Sequence, residues 1–137
     1  MGKVMGLDVG DVRVGVAFGD TETRIATPYR TLERAKGKAE AEILKLIEGR
    51  TIETVVAGLP LDEDGGRTTQ CDKIENFCRR LVRRVQVQLI FVDEHLSSAT
   101  AEQQLISGGA SKKSSRQKGV LDTLAAAIIL QSYLDSE

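Results

Sequence analysis

The segment Thr54–Leu59, TVVAGL, is apolar almost from end to end and is stopped by Pro60. A strand that shows no polar alternation is buried on both faces, so it sits inside a sheet covered by a layer on each side. Parallel neighbours of such a strand are reached through crossovers, usually helical. The flanking sequence supplies them. From Glu40, Ile43, Leu44 and Ile47 recur at helical spacing up to Gly49, the expected C-cap. After the loop Leu61–Gly66, the stripe Cys71, Ile74, Phe77, Cys78, Leu81 and Val82 marks a second amphipathic helix. It leads into another strand, Val85–Val92, ending at Asp93-Glu94.

The N-terminal part differs. Lys3–Val9 and Arg13–Phe18 are two β-rich runs separated by Gly10-Asp11, and Arg24–Leu32 carries Pro28, which suits an edge strand. Three consecutive strands predict an antiparallel meander. Later, Ser98 is placed to cap a helix that stops at Gly108-Gly109, and a final helix is expected from about Gly119 to Leu134. Right-handed crossovers then give an α/β fold with a five-stranded mixed sheet in the order 3-2-1-4-5, strand 2 antiparallel, and helices on both faces. With 137 residues, one domain over 1–137 is expected.

Composition narrows the function. Nineteen basic and twenty acidic residues give a net charge of -1, so any attraction to nucleic acid must be local. No run approaches the ~20 apolar residues of a membrane span, and a cytosolic protein without membrane partners is expected. Cys71 and Cys78 lie on one helical face as small core residues, and with His95 the sole histidine a zinc site lacks ligands. No Trp, two Tyr and three Phe leave few stacking platforms for bases.

Gly6, Gly10 and Gly15 do not fit the dinucleotide pattern, and Gly10 to Gly15 has P-loop spacing without the following Lys. Tight turns and close approach of elements explain them. Asp8 is different, because a carboxylate inside an apolar central strand is costly unless it is paired or binds a cation. Asp93 and Glu94 stand at the end of another strand, and Asp122 is expected in the first turn of the last helix. An acid there also complements the helix dipole. Ligands of such sheets gather at the carboxyl ends of the parallel strands. Carboxylates converging there form the oxygen donor set of Mg²⁺ or Mn²⁺, and metal-assisted phosphodiester hydrolysis is the chemistry that follows.

Five ordered motifs carry a family resemblance: Gly6–Gly10 (GLDVG), Arg13–Ala17 (RVGVA), Val55–Leu61 (VVAGLPL), Asp93–Ser98 (DEHLSS) and Leu121–Ala126 (LDTLAA). Over nearly its whole length the chain resembles the YqgF/RuvX family of ribonuclease H-like proteins. The resemblance implies a nuclease that matures the 5′ end of pre-16S ribosomal RNA, with Holliday-junction resolution as an older assignment. It also implies Asp8, Glu94 and Asp122 as the catalytic, metal-holding triad. The family usually has Arg where this chain has His95, so a fixed positive charge becomes a titratable one.

The basic run Lys112, Lys113, Arg116 and Lys118 precedes Asp122 in an expected loop. Beside acids it would offset repulsion of a phosphate backbone, and with His95 it forms the candidate substrate-binding set. The expected partners are structured RNA such as pre-rRNA, ribosomal precursor particles, or branched DNA, bound by a monomer or homodimer. An actin-like ATPase shares the Asp-x-Gly turn but needs two lobes. A non-catalytic ribosome-assembly factor is the remaining alternative.

Overall fold

The computed structural model describes residues 2–62, 64–93 and 115–136, with the side chains of the last helix from Asp122 onward. Strands β1 (Lys3–Val9), β2 (Arg13–Asp20) and β3 (Ala26–Glu33) form the expected antiparallel meander. Strand β4 (Thr54–Leu59) pairs in parallel with β1, and β5 (Gln88–Asp93) with β4. The sheet order is β3-β2-β1-β4-β5, as right-handed crossovers predict. Helix α1 (Lys38–Arg50) connects β3 to β4, α2 (Thr69–Val82) connects β4 to β5, and α3 (Ser115–Ser136) follows. Among the described residues no helix is long and apolar enough to cross a membrane.

Period-two alternation sorts the strands into two cores. Met5, Leu7, Val14, Val16, Val55 and Ala57 pack with Ile43 and Ile47 of α1 and with Ile74, Phe77 and Leu81 of α2. Val4, Ala17 and Val56 point the other way, onto Ala126, Ile129, Leu130 and Leu134 of α3. All six residues of β4 are buried because both cores need it. Gly6 lets α3 come close: a Cβ there would stand 2.8 Å from the Ala126 carbonyl oxygen and from Leu130 Cβ. Cys71 and Cys78 are buried free thiols on the inner face of α2, as their spacing predicts.

Several boundaries differ from the sequence expectation. Helix α1 runs past Gly49 to Arg50, and its left-handed cap is Thr51 (φ 55°, ψ 50°), whose N–H donates to the Glu48 carbonyl. Strand β5 starts at Gln88 rather than Val85, because the Val85 N–H closes a turn on the Val82 carbonyl at the end of α2. Strand β3 starts at Ala26, after a turn with Arg24 in the left-handed region. A bulge in β3 leaves Tyr29 without a partner between the Val16–Arg30 and Ala17–Pro28 pairs. Helix α3 begins at Ser115, so Arg116 and Lys118 belong to a helix and not a loop, and Asp122 lies in its third turn. The helix-start explanation for Asp122 therefore falls. Glu94, His95, Lys112, Lys113 and the helix expected from Ser98 to Gly108-Gly109 lie outside the described residues.

Candidate active site

Asp8, the penultimate residue of β1, is paired with Gly15 of β2, which is paired with Thr31 of β3. Directly opposed residues of antiparallel strands project to the same face. That face is the one α3 covers, since Val4 and Gly6, two and four positions before Asp8, both meet it. Gly15 has no side chain, and a Cβ there would overlap the Asp122 carbonyl group. Asp8 is thus next to the point where α3 presses its Asp122 turn onto the sheet. The half-buried Asp8 carboxylate is one of the interacting groups of the site, as are Thr31, Asp122 and Thr123.

Two contacts fasten this turn of α3. Arg13 Nε donates to Asp122 Oδ2 at 3.2 Å, across 109 residues of sequence. The Thr31 and Thr123 hydroxyls meet at 2.6 Å. The hairpin after Asp8 is held from a third strand: Arg34 Nη1 donates to the Gly10 carbonyl at 2.7 Å, and its backbone N–H to that of Val12 at 2.9 Å. Gly10 N–H closes the turn on the Arg13 carbonyl at 2.8 Å, fulfilling the tight-turn expectation for Gly10.

On the other side of β1, the carboxyl ends of β4 and β5 form the rest of the edge. Gly58 pairs with Val92, and Leu59 with Asp93. Val92 packs in the α3 core, so Asp93, one residue on, belongs to the opposite face together with Leu59. Of the acids at strand ends, Asp93 therefore does not share a face with Asp8. Thr68 Oγ1 donates to the Pro60 carbonyl at 3.1 Å and ties the start of α2 to the end of β4.

The structure thus brings Asp8 and Asp122 to one place. Sequence reasoning missed Arg13, Arg34, Thr31 and Thr123 as the groups that hold it. The signal for Arg13 was its position two residues before Gly15 on the same strand face. The other contacts cross between strands and leave no local trace.

The model of the RuvX family, described as Holliday junction resolvase, matches residues 2–136. The chain belongs to the RuvX family. Relatives carrying the name "Putative pre-16S rRNA nuclease" include one from Gloeothece citriformis, 44% identical over 133 residues, covering 96% of this chain and 86% of that protein. Another, from Clostridioides difficile, is 38% identical over 135 residues and covers 98% and 94%. Among solved structures, RuvC of Thermus thermophilus in complex with a Holliday junction substrate aligns with a TM-score of 0.59 at 13% identity, over 99% and 95% of the two chains. The fowlpox virus Holliday junction resolvase aligns at 0.63 and 13%, over 98% and 99%. The ribonuclease H-like sheet of these RuvC-like resolvases is the fold of this RuvX chain.

Proposed function

We propose that the chain is a nuclease that hydrolyses phosphodiester bonds of structured RNA, in the 5′-end processing of pre-16S rRNA that its relatives are named for. The observation that carries this is the seating of Asp122 over Gly15, beside Asp8 at the carboxyl end of the central strand. Two carboxylates from separate elements at such an edge are hard oxygen donors of the kind Mg²⁺ and Mn²⁺ take. Among the described residues no third acid, histidine or cysteine joins them. Because Asp93 lies on the opposite face, the strand-five acid proposed to complete the set is the next in sequence, Glu94.

A divalent ion held by Asp8, Glu94 and Asp122 would supply an activated water and charge stabilisation for the leaving oxygen. The chain's own groups do the positioning. Arg13 and the Thr31–Thr123 pair keep Asp122 against the sheet, and Arg34 keeps the hairpin beside Asp8 closed. His95, Lys112, Lys113, Arg116 and Lys118 are proposed as phosphate contacts that offset the acidic centre.

Asp8→Asn tests the proposal. It keeps the shape and removes the charge, so the variant should fold and lose cleavage of labelled RNA in Mg²⁺ or Mn²⁺ buffer. Full activity in a folded Asp8→Asn protein would sink the metal-nuclease assignment. The family description favours a second substrate, a DNA junction. A four-way junction calls for two sites, so resolution by this chain requires a dimer on the junction, and cleavage of RNA by a monomer separates the two.

A further inference from the structure

The bulge in β3 has a use beyond bending an edge strand. It turns two consecutive side chains, Tyr29 and Arg30, toward the α1 side of the sheet, with the Arg30 guanidinium 4.9 Å from the Tyr29 ring centroid. Beside them, Arg50 at the end of α1 lies 3.9 Å from the centroid of Phe18 and 5.2 Å from that of Tyr29. Phe18 and Tyr29 meet edge to face at 4.9 Å. Two of the chain's five aromatic residues and two guanidiniums thus share one corner of the sheet.

That corner is concave. A cavity of about 380 Å³ is lined by Phe18, Tyr29, Arg50, Lys3, Ile25 and Thr27, among others. Ile25 is 63% exposed at its rim. Lys3, Arg30 and Arg50 form no ion pair among the described residues. Asp20 also lines the cavity, and its Oδ1 already accepts the Glu22 N–H at 2.7 Å. Unpaired cations against aromatic faces, with hydroxyls and an exposed aliphatic at the rim, are what a nucleotide strand needs: bases stack and phosphates find charge.

The placement decides the ligand. Thr31 stands in the row of Asp8 and Gly15, and Tyr29 is two residues along the same edge strand, ~7 Å away at the rise of a β-strand. Lys3, five residues before Asp8, marks the far wall at ~17 Å, the length of about five stacked nucleotides. We propose that the Phe18–Tyr29–Arg50–Lys3 corner binds the single-stranded RNA flank of the substrate whose scissile bond lies at Asp8 and Asp122. This rests on the nuclease reading for the identity of the strand, and deepens it.

The test reads binding rather than cleavage, using the full chain without divalent metal and a fluorescein-labelled oligouridylate about eight nucleotides long. Arg50→Ala with Tyr29→Ala should weaken the anisotropy-measured affinity at least ~5-fold, the low end for a lost base stack. Lys3→Ala with Arg50→Ala should reduce the slope of log affinity against log salt by about 0.7 for each cation lost. Ile25→Glu changes an exposed rim residue, cannot disturb the core, and should weaken binding by placing a carboxylate against phosphate. Unchanged affinity in folded Ile25→Glu, or an unchanged salt slope in the Lys3/Arg50 variant, would overturn the proposal. A wild type that binds oligouridylate through this corner but cleaves no RNA would instead refute the nuclease assignment and leave the corner standing.

Discussion

Gly15 of β2 lies directly beneath the Asp122 backbone of α3, so close that a single methyl group on Gly15 would overlap the Asp122 carbonyl. The atom in the way is main chain, so relief requires moving the helix or bending the strand. Gly15→Ala should therefore cost about 1–3 kcal/mol, as overpacking does, and displace Asp122 from Asp8. The checks are thermal unfolding and RNA cleavage on the same preparation. An unchanged Tm together with full activity would show that α3 does not sit where this contact puts it.

A second backbone feature predicts a gain. Thr51 caps α1 with a φ of 55°, a region in which a β-branched residue is strained. Glycine takes that conformation freely, against some added entropy of the unfolded chain. Thr51→Gly should raise the unfolding free energy by about 0.5–1 kcal/mol in urea titration, whereas a loss would mean the Thr side chain offsets its own strain.

The parts of the fold that follow from periodicity and chirality were legible in the chain. TVVAGL gave the doubly covered β4, the three N-terminal runs gave the meander, and the crossover rule gave the strand order. Asp8 stood out because a carboxylate is out of place in such a strand. What was not legible depends on contacts distant in sequence. The start of α3 at Ser115 was hidden by Gly119, a poor helix residue that a docked helix tolerates. The cap at Thr51 was hidden by the better cap residue two positions earlier. The bulge at Tyr29 has no local signature beyond the neighbouring Pro28, and so the aromatic corner was not foreseen.

Cys78 links burial to pH. Its thiol sits in the α2 core, and burial first, then the Glu75 charge, pushes its pKa from 9.0 up to about 12. The folded state then keeps a proton that the unfolded chain releases above about pH 9. Stability held below pH 9 is lost as pH rises toward 12, on the order of 1 kcal/mol for each pH unit. Other groups titrate in this range, so the measurement is the difference between wild type and Cys78→Ala. The variant should be less stable at neutral pH and should show a shallower decline from pH 9 upward. Parallel declines would show that the Cys78 thiol is not protected from ionisation.

The Arg13–Asp122 pair carries the last prediction, because it opposes what the site needs when a cation binds. The guanidinium already neutralises a carboxylate proposed to hold the metal, at 3.2 Å with the two side chains 24% and 27% exposed. Arg13→Gln keeps a hydrogen-bonding side chain of similar reach and removes the charge. In metal-free buffer the variant should lose about 1 kcal/mol of stability, a value between those of exposed pairs and of hydrogen bonds to buried charges. Added Mn²⁺ should then raise its Tm by more than it raises that of wild type, since ligand binding to the folded state stabilises in proportion to occupancy and affinity. In Asp8→Asn the Mn²⁺ shift should shrink sharply. If Mn²⁺ moves wild type, Arg13→Gln and Asp8→Asn by the same amount, the ion binds elsewhere, and Arg13 serves only to hold α3 on the sheet.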